Sequence, residues 1–271
     1  MTALYIIIGI IAVLVLIWLF AIMPSLTKNK TLNGIITTDF AHRGLHAIEK
    51  GIAENSLSAF SLAVENGFGI ELDVRLTKDN RLVVFHDNDT TRICGVDGKI
   101  NKMTIDEIKK LRLSNTSDTI PLLSEVLSLV DGKVPLLIEI KTENNTKAIM
   151  EQCFKLLDDY KGVFVVESFD PRPLAWLKRN RKDIARGQLA CATGGPESKI
   201  LSFLLTHLLL NFLSRPHFIA YEEEYIGKIP ESVICIKLFG VAGFVWTVKE
   251  KEIFKKCKTK KLSVIFESFM P

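Results

Sequence analysis

Three carboxylates and two histidines carry the chemistry of this sequence. Glu71 and Asp73 stand two residues apart in FGIELDVRL (68–76), a run that alternates apolar and charged residues as a strand does. Two apart on a strand, their side chains share a face. Glu139 ends a second strand-like run, VPLLIEI (134–140), and joins them if the two strands are neighbours. Three carboxylates converging on one point repel one another. A hard divalent cation relieves that repulsion, and an all-oxygen ligand set favours Mg²⁺ or Ca²⁺. The bland alternative is that these acids pair with Arg43, Arg75 or Lys141.

His42 and His86 each follow a short apolar stretch that reads as a strand. Cleaving a phosphodiester needs a base for the attacking oxygen and an acid for the leaving oxygen, and two histidines suit that division. Arg43 and Lys141 are placed to bind phosphoryl oxygens. His46, His207 and His217 read as structural or surface residues.

These groups meet only if the strands carrying them lie side by side and parallel. After a polar connector (25–35), strands are read at 35–41, 68–76, 82–85, 134–140, 163–168, 185–190, 217–221, 242–248 and 262–267. Helices intervene at 56–66, with Asn55 as its cap, and at 122–130, 171–180, 198–213, near 230–238 and at 249–258. Alternation of this kind implies parallel strands joined by crossover helices. About eight such units match a closed (β/α)8, or TIM-type, barrel over residues 36–271, preceded by one transmembrane helix. In such a barrel the catalytic groups sit at the C-terminal ends of the strands, where His42, Arg43, Glu71, Asp73, His86, Glu139, Lys141, Glu167 and Trp246 all fall. No GxGxxG or GxxxxGK[ST] suggests a nucleotide fold.

At this point the residues resemble a known family. AHRGLH (41–46), AENSLSAF (53–60), ELDVRLTKDNRLVVFHD (71–87) and LIEIK (137–141), with ESF, Asp170-Pro171 and VWTV (245–248) later on, are similar to the glycerophosphodiester phosphodiesterase family. The resemblance implies a (β/α)8 barrel with a small insertion after the second strand, here about 87–120. It implies His42 and His86 as the catalytic pair and Arg43 as a phosphate contact. Glu71, Asp73 and Glu139 become the metal ligands, and Lys141, Glu54 and Trp246 substrate-binding positions. The substrate would be a glycerophosphodiester or a lysolipid-type molecule. Phospholipase-D-like or phosphatidylinositol-cleaving relatives share this chemistry, and a non-catalytic lipid-headgroup sensor is the reading from a different class. The sequence departs from the family pattern at Ala53, Lys249 and Phe266-Glu267-Ser268, changes expected to touch barrel closure and substrate groups rather than the histidines. The usual final helix is expected to be short or missing.

Outside the barrel, residues 3–23 carry no charge. A bilayer core takes about 20 apolar residues in a helix. There is no basic segment before this stretch and no good cleavage site after it, so residues 1–24 read as a permanent anchor rather than a signal peptide. The 5 cysteines form no CxxC pair, which argues against zinc or a disulfide framework. Reduced thiols, with Lys28 and Lys30 after the span and no Lys or Arg before it, suit a catalytic domain on the cytoplasmic side. Lysine-rich stretches at 249–261 and 178–186 read as solvated helix ends, or alternatively as contacts to anionic lipid. They lack the interleaved aromatics of a nucleic-acid platform. No obligate protein partner is evident. The apolar run 198–213 is too short for a span and is read as a buried or membrane-resting helix.

Overall fold

A computed structural model describes residues 1–143, 145–191 and 199–271. Helix α1 (Thr2–Ile22) and helix α2 (Lys30–Ile35) precede strand β1 (Asp39–Ala41). Helix α3 (Leu57–Glu65), strand β2 (Gly69–Leu76) and strand β3 (Leu82–Val84) follow. An insertion then carries α4 (Thr91–Cys94) and α5 (Ile105–Ile108) and leads to α6 (Leu123–Val130). From there strands and helices alternate: β4 (Leu136–Ile140), α7 (Thr146–Leu157), β5 (Phe164–Ser168), α8 (Pro171–Asn180) and β6 (Arg186–Ala190). Next come α9 (Lys199–Thr206), α10 (Asn211–Ser214), β7 (Phe218–Glu222), α11 (Pro230–Lys237), β8 (Ala242–Val248), α12 (Lys251–Thr259) and β9 (Ser263–Phe266).

Strands β1, β2 and β4 to β9 pair in parallel, and β1 bonds to both β9 and β2, so the sheet closes. This is the TIM-type barrel. Strand β3 pairs antiparallel with the end of β2 and lies outside the ring. Its hairpin brings Phe85 and His86 back over the C-terminal end of β2, where the Phe85 N–H donates to the Asp73 carbonyl at 2.9 Å.

The outer face of the sheet packs against the helices. Helix α3 shows why such a segment is helical. Ser56 accepts the Ala59 N–H at 3.1 Å as its N-cap, and Ala59, Phe60 and Ala63 lie on its buried face. Helix α8 begins with an Asp170 cap and Pro171, and ends on Lys178 and Arg179, whose charges oppose the helix dipole. Lys256 and Lys258 end α12 in the same way. The basic residues at 178–182 and 255–261 therefore sit at helix C-termini, on the rim opposite the strand ends that carry the carboxylates, whereas Lys249, before α12, stands at the catalytic rim.

Four expectations are corrected. The connector is not irregular: Lys30–Ile35 forms α2, and β1 spans only Asp39–Ala41 instead of 35–41. Leu32 and Ile35 of α2 pack with Phe40, Leu137, Val165, Phe218 and Phe244, closing the N-terminal mouth of the barrel. Burying such side chains contributes roughly 1.5–3 kcal/mol each, which outweighs the weak helix propensity of KTLNGI. Second, the helix expected at 198–213 is two helices, broken where Leu208 turns left-handed (φ 55°) to enter the cluster around Ile219, Tyr221 and Cys235. Residue 198 lies outside the described residues. Third, Asn55 does not cap α3; Ser56 does. Finally, α7 was not read from the sequence, although Ile149, Met150, Cys153, Phe154 and Leu157 form its buried stripe.

Candidate active site

The turn after β1 starts the site. Arg43 (φ 55°) and Gly44 (φ 80°) are both left-handed, and a Cβ on Gly44 would meet the Ala59 Cβ at 2.9 Å, so only glycine fits there. The reversal turns the Arg43 N–H toward Glu71 Oε2, at 2.9 Å. The Arg43 guanidinium reaches Glu54 Oε1 at 2.7 Å and lies 3.6 Å from Asp73 Oδ2. Glu54 is thus placed to hold Arg43 in position, and it also accepts hydrogen bonds from Arg92.

Sheet register sets the acidic cluster. Asp73 stands beside Glu139, and Glu139 beside Glu167, on three successive barrel strands. One carboxylate oxygen from each of Glu71, Asp73 and Glu139 lies within 4.8 Å of the others, and all three residues are buried. Lys141 Nζ sits 2.8 Å from Glu139 Oε2 and 3.2 Å from Asp73 Oδ1. Asn55 donates to Asp73 Oδ2 at 2.9 Å. The acids therefore converge on one another and also pair with Arg43 and Lys141, but not with Arg75. Arg75 donates instead to the His86 carbonyl and pairs with Glu143 at 2.8 Å.

The positive charge in the cluster is insufficient for all the acids. Burial raises Asp73, but Lys141, His86, Arg43 and Asn55 outweigh it and hold Asp73 well below the usual carboxylate range. Burial, then the charges of Asp73 and Glu139, push Glu71 well above that range. Burial raises Glu139 to about 7 against the pull of Lys141. Glu167 rises well above its ordinary value through burial and the charges of Glu71 and Glu139. Its Oε2 has no hydrogen-bond partner among the described residues. A cluster of oxygen donors that cannot all ionise unaided fits a divalent cation.

Each histidine is held at Nδ1 by a carboxylate. His42 Nδ1 lies 2.7 Å from Glu267 Oε2, and its Nε2 lies 4.0 Å from Glu71. His86 Nδ1 lies 2.6 Å from Asp87 Oδ1. Burial lowers both histidines, His86 to about 4, where Lys141 and Arg43 add to the effect. Burial raises Glu267, but the His42 hydrogen bond and the charges of His42 and Lys249 together hold it at about 2. Asp87 shares its charge with Arg92, at 2.6 Å.

Trp246 packs edge-on against Phe169 at 5.5 Å, and Lys141 lies over the Phe169 ring. The indole Nε1 is buried without a hydrogen-bond partner among the described residues. A cavity of about 150 Å³ opens between Arg75, Glu139, Lys141 and Phe169. A larger one of about 440 Å³, lined by Leu45, Ile48, Leu62 and Phe269, adjoins Glu267. The remaining histidines lie apart from the acids. His207 pairs with Glu231, His217 accepts the Arg186 N–H, and His46 lines the larger cavity.

All nine expected site residues stand at the C-terminal rim of the barrel. Reading the sequence missed three that touch them. Glu267 was expected to affect barrel closure and instead contacts His42 directly. Asn55, by type a good helix cap, instead donates to Asp73. Asp87 followed His86 in the FHD motif without being given a role.

Residues 42–267 match the glycerophosphoryl diester phosphodiesterase family. A glycerophosphodiester phosphodiesterase of Caldanaerobacter subterraneus subsp. tengcongensis is 32% identical over 229 residues, covering 80% of this chain and 87% of its own. The lysophospholipase D GDPD1 of Mus musculus is 28% identical over 231 residues, covering 79% of this chain and 68% of its own. The crystal structure of a Thermotoga maritima glycerophosphodiester phosphodiesterase is 28% identical and superposes with a TM-score of 0.65, covering 85% of this chain and 94% of that one. The chain belongs to the glycerophosphoryl diester phosphodiesterase family.

Proposed function

We propose that this enzyme hydrolyses glycerophosphodiesters to an alcohol and glycerol phosphate, using a divalent cation and the His42–His86 pair. Family membership supports the phosphodiesterase activity. The observation that carries the metal is the convergence of Glu71, Asp73 and Glu139 within 4.8 Å, in surroundings that leave Glu71 and Glu139 short of positive charge. Those three would hold Mg²⁺ or Ca²⁺, which would polarise the phosphoryl group and share its developing charge. Arg43 and Lys141 would bind its other oxygens, and Glu54 would keep Arg43 in place. Phe169 and Trp246 would line the substrate's path.

A glycerophosphodiester carries its own nucleophile, the hydroxyl beside the phosphorylated carbon. Held near phosphorus, that hydroxyl has a high effective molarity. His42 suits the base. Glu267 accepts from its Nδ1 and supports the proton that Nε2 takes up. His86 suits the acid. Burial and the charges of Lys141 and Arg43 lower its pKa, and Asp87 divides its charge between His86 and Arg92, so a protonated His86 gives up its proton readily to the leaving alcohol. A cyclic glycerol phosphate would form and be opened by water with the roles exchanged.

Helix α1 is read as a retained membrane anchor with the barrel on the cytoplasmic side. The mean hydropathy of its most apolar 18 residues is 3.1. Its last turn is tied to the barrel by Arg215 and Asn211, an arrangement suited to a segment that stays attached. The described cysteines are all free thiols. The test is a substrate panel of glycerophosphodiesters, lysophospholipids and diacyl phospholipids, assayed with added Mg²⁺ or Ca²⁺. Release of glycerol phosphate from at least one glycerophosphodiester is expected. Its absence across the panel would overturn the assignment.

A further inference from the structure

The direction of α1 relative to the barrel determines which face meets the bilayer. Helices outside a (β/α)8 barrel leave the C-terminal ends of the strands and run back toward the opposite rim. Helix α11 does so from Pro230 to Lys237, so Glu231 is near the catalytic rim and Cys235 is one turn further from it. Helix α1 lies alongside in the same direction. The Trp18 indole N–H donates to Glu231 at 3.2 Å, and Cys235 Sγ lies 3.4 Å from the Ile22 carbonyl. The chain then continues away from the catalytic rim. Asn211 and Arg215 bind the carbonyls of Ile22 and Met23, the Ser25 N–H donates to the Pro216 carbonyl, and α2 plugs the far mouth. Residues 2–17 therefore project past the catalytic rim, over about 24 Å at 1.5 Å per residue. Leu4, Ile10, Leu14 and Ile17 within this stretch are more than half exposed.

A second apolar element stands at the same level. The end of α9 is fixed at the catalytic rim, because Thr206 Oγ1 donates to the Cys191 carbonyl just after β6, and Tyr221 at the end of β7 donates to the Thr206 carbonyl. Its neighbour His207 shares Glu231 with Trp18. The exposed side of α9 carries Ile200 (74% exposed) and Phe203 (56%). A bilayer core is about 30 Å thick, more than the free part of α1 covers, so the rim beside α1 must enter the interface. The apolar face of α9 is the surface suited to do so.

We infer that the barrel docks on the lipid bilayer with its catalytic mouth toward the membrane, held by α1 and by the Ile200–Phe203 face of α9. The inference rests on α1 being a retained anchor. The basic helix ends at Lys178–Lys182 and Lys255–Lys261 then face away from the lipid. The active site draws on amphiphilic phosphodiesters lying in the interface.

The full chain, reconstituted in phosphatidylcholine vesicles containing brominated lipid, tests this directly. An environment-sensitive fluorophore is placed on introduced cysteines, one per variant, in a Cys94→Ser background whose other four cysteines are buried. Two replace Ile200 and Glu224 beside the catalytic rim, and two replace Lys182 and Leu238 at the opposite rim. Flotation with the vesicles reports on the anchor alone, and failure to float overturns that reading. For chains that float, quenching at 200 and 224 but not at 182 and 238 is expected. Quenching of the opposite pair, or no contrast between the pairs, overturns the orientation. In the same vesicles, Ile200→Asp/Phe203→Asp should lower turnover of embedded lysophospholipid several-fold and leave turnover of a water-soluble glycerophosphodiester unchanged. Equal effects on both substrates would count against α9 as the contact.

Discussion

Removing the Glu267 carboxylate tests whether His42 works as a supported base. Glu267 Oε2 lies 2.7 Å from His42 Nδ1, with Lys249 3.6 Å from its other oxygen. A hydrogen bond to a charged group contributes about 1.5–3 kcal/mol. At about 1.4 kcal/mol per factor of ten, that is a loss of about 10- to 150-fold in turnover. Glu267→Gln keeps an acceptor for the imidazole N–H and should fall at the low end; Glu267→Ala loses both charge and acceptor and should fall at the high end. The side chain is at the rim and 18% exposed, so thermal unfolding should hardly move. Because the Glu267 hydrogen bond raises the His42 pKa, its loss should shift the acidic limb of the kcat profile to lower pH. The assay is steady-state release of glycerol phosphate at saturating divalent cation, from pH 5 upward. Glu267→Ala within about twofold of wild type, with an unmoved acidic limb, would refute the reasoning.

Other perturbations have distinct signatures. Asp73→Asn should lose divalent-cation affinity, read by calorimetry, while circular dichroism stays native; outright unfolding would make Asp73 structural. His86→Ala should slow substrates with poor leaving groups far more than an aryl diester, whose leaving group needs no proton, while His42→Ala should slow both; equal losses would remove the division of roles. His217 is neutral in the fold, lowered by burial and Arg186 to about 4 from an ordinary 6.5. The unfolded chain therefore binds the extra proton, and stability should fall as pH drops from about 6.5 toward 4. His217→Gln should flatten that slope in denaturant titrations at successive pH values, and an unchanged slope would exclude His217 as its source.

The sequence made the site legible wherever chemistry and strand ends coincide. Glu71, Asp73 and Glu139 are brought together by parallel register alone, so the two-residue spacing and a barrel were enough to foresee their meeting. Glu267 was not legible, because its contact with His42 depends on barrel closure between β9 and β1, at opposite ends of the catalytic chain. Asn55 was misread because Asn is a good helix cap, and tertiary contact with Asp73 overrode that local preference. Helix α2 has too few residues and too little apolar pattern to be seen locally; the open barrel mouth makes it helical. The break at Leu208 follows from packing against Tyr221 and Cys235, which hydropathy along the chain does not encode.

On the proposed mechanism, a divalent cation on Glu71, Asp73 and Glu139 drives phosphodiester cleavage. The direct test follows a glycerophosphodiester by phosphorus NMR with the full-length protein, first stripped of metal by a chelator and verified metal-free, then supplied with Mg²⁺ or Ca²⁺. No glycerol phosphate signal should come from the stripped protein, and one should appear on adding one of these ions. Full turnover by verified metal-free protein would contradict it.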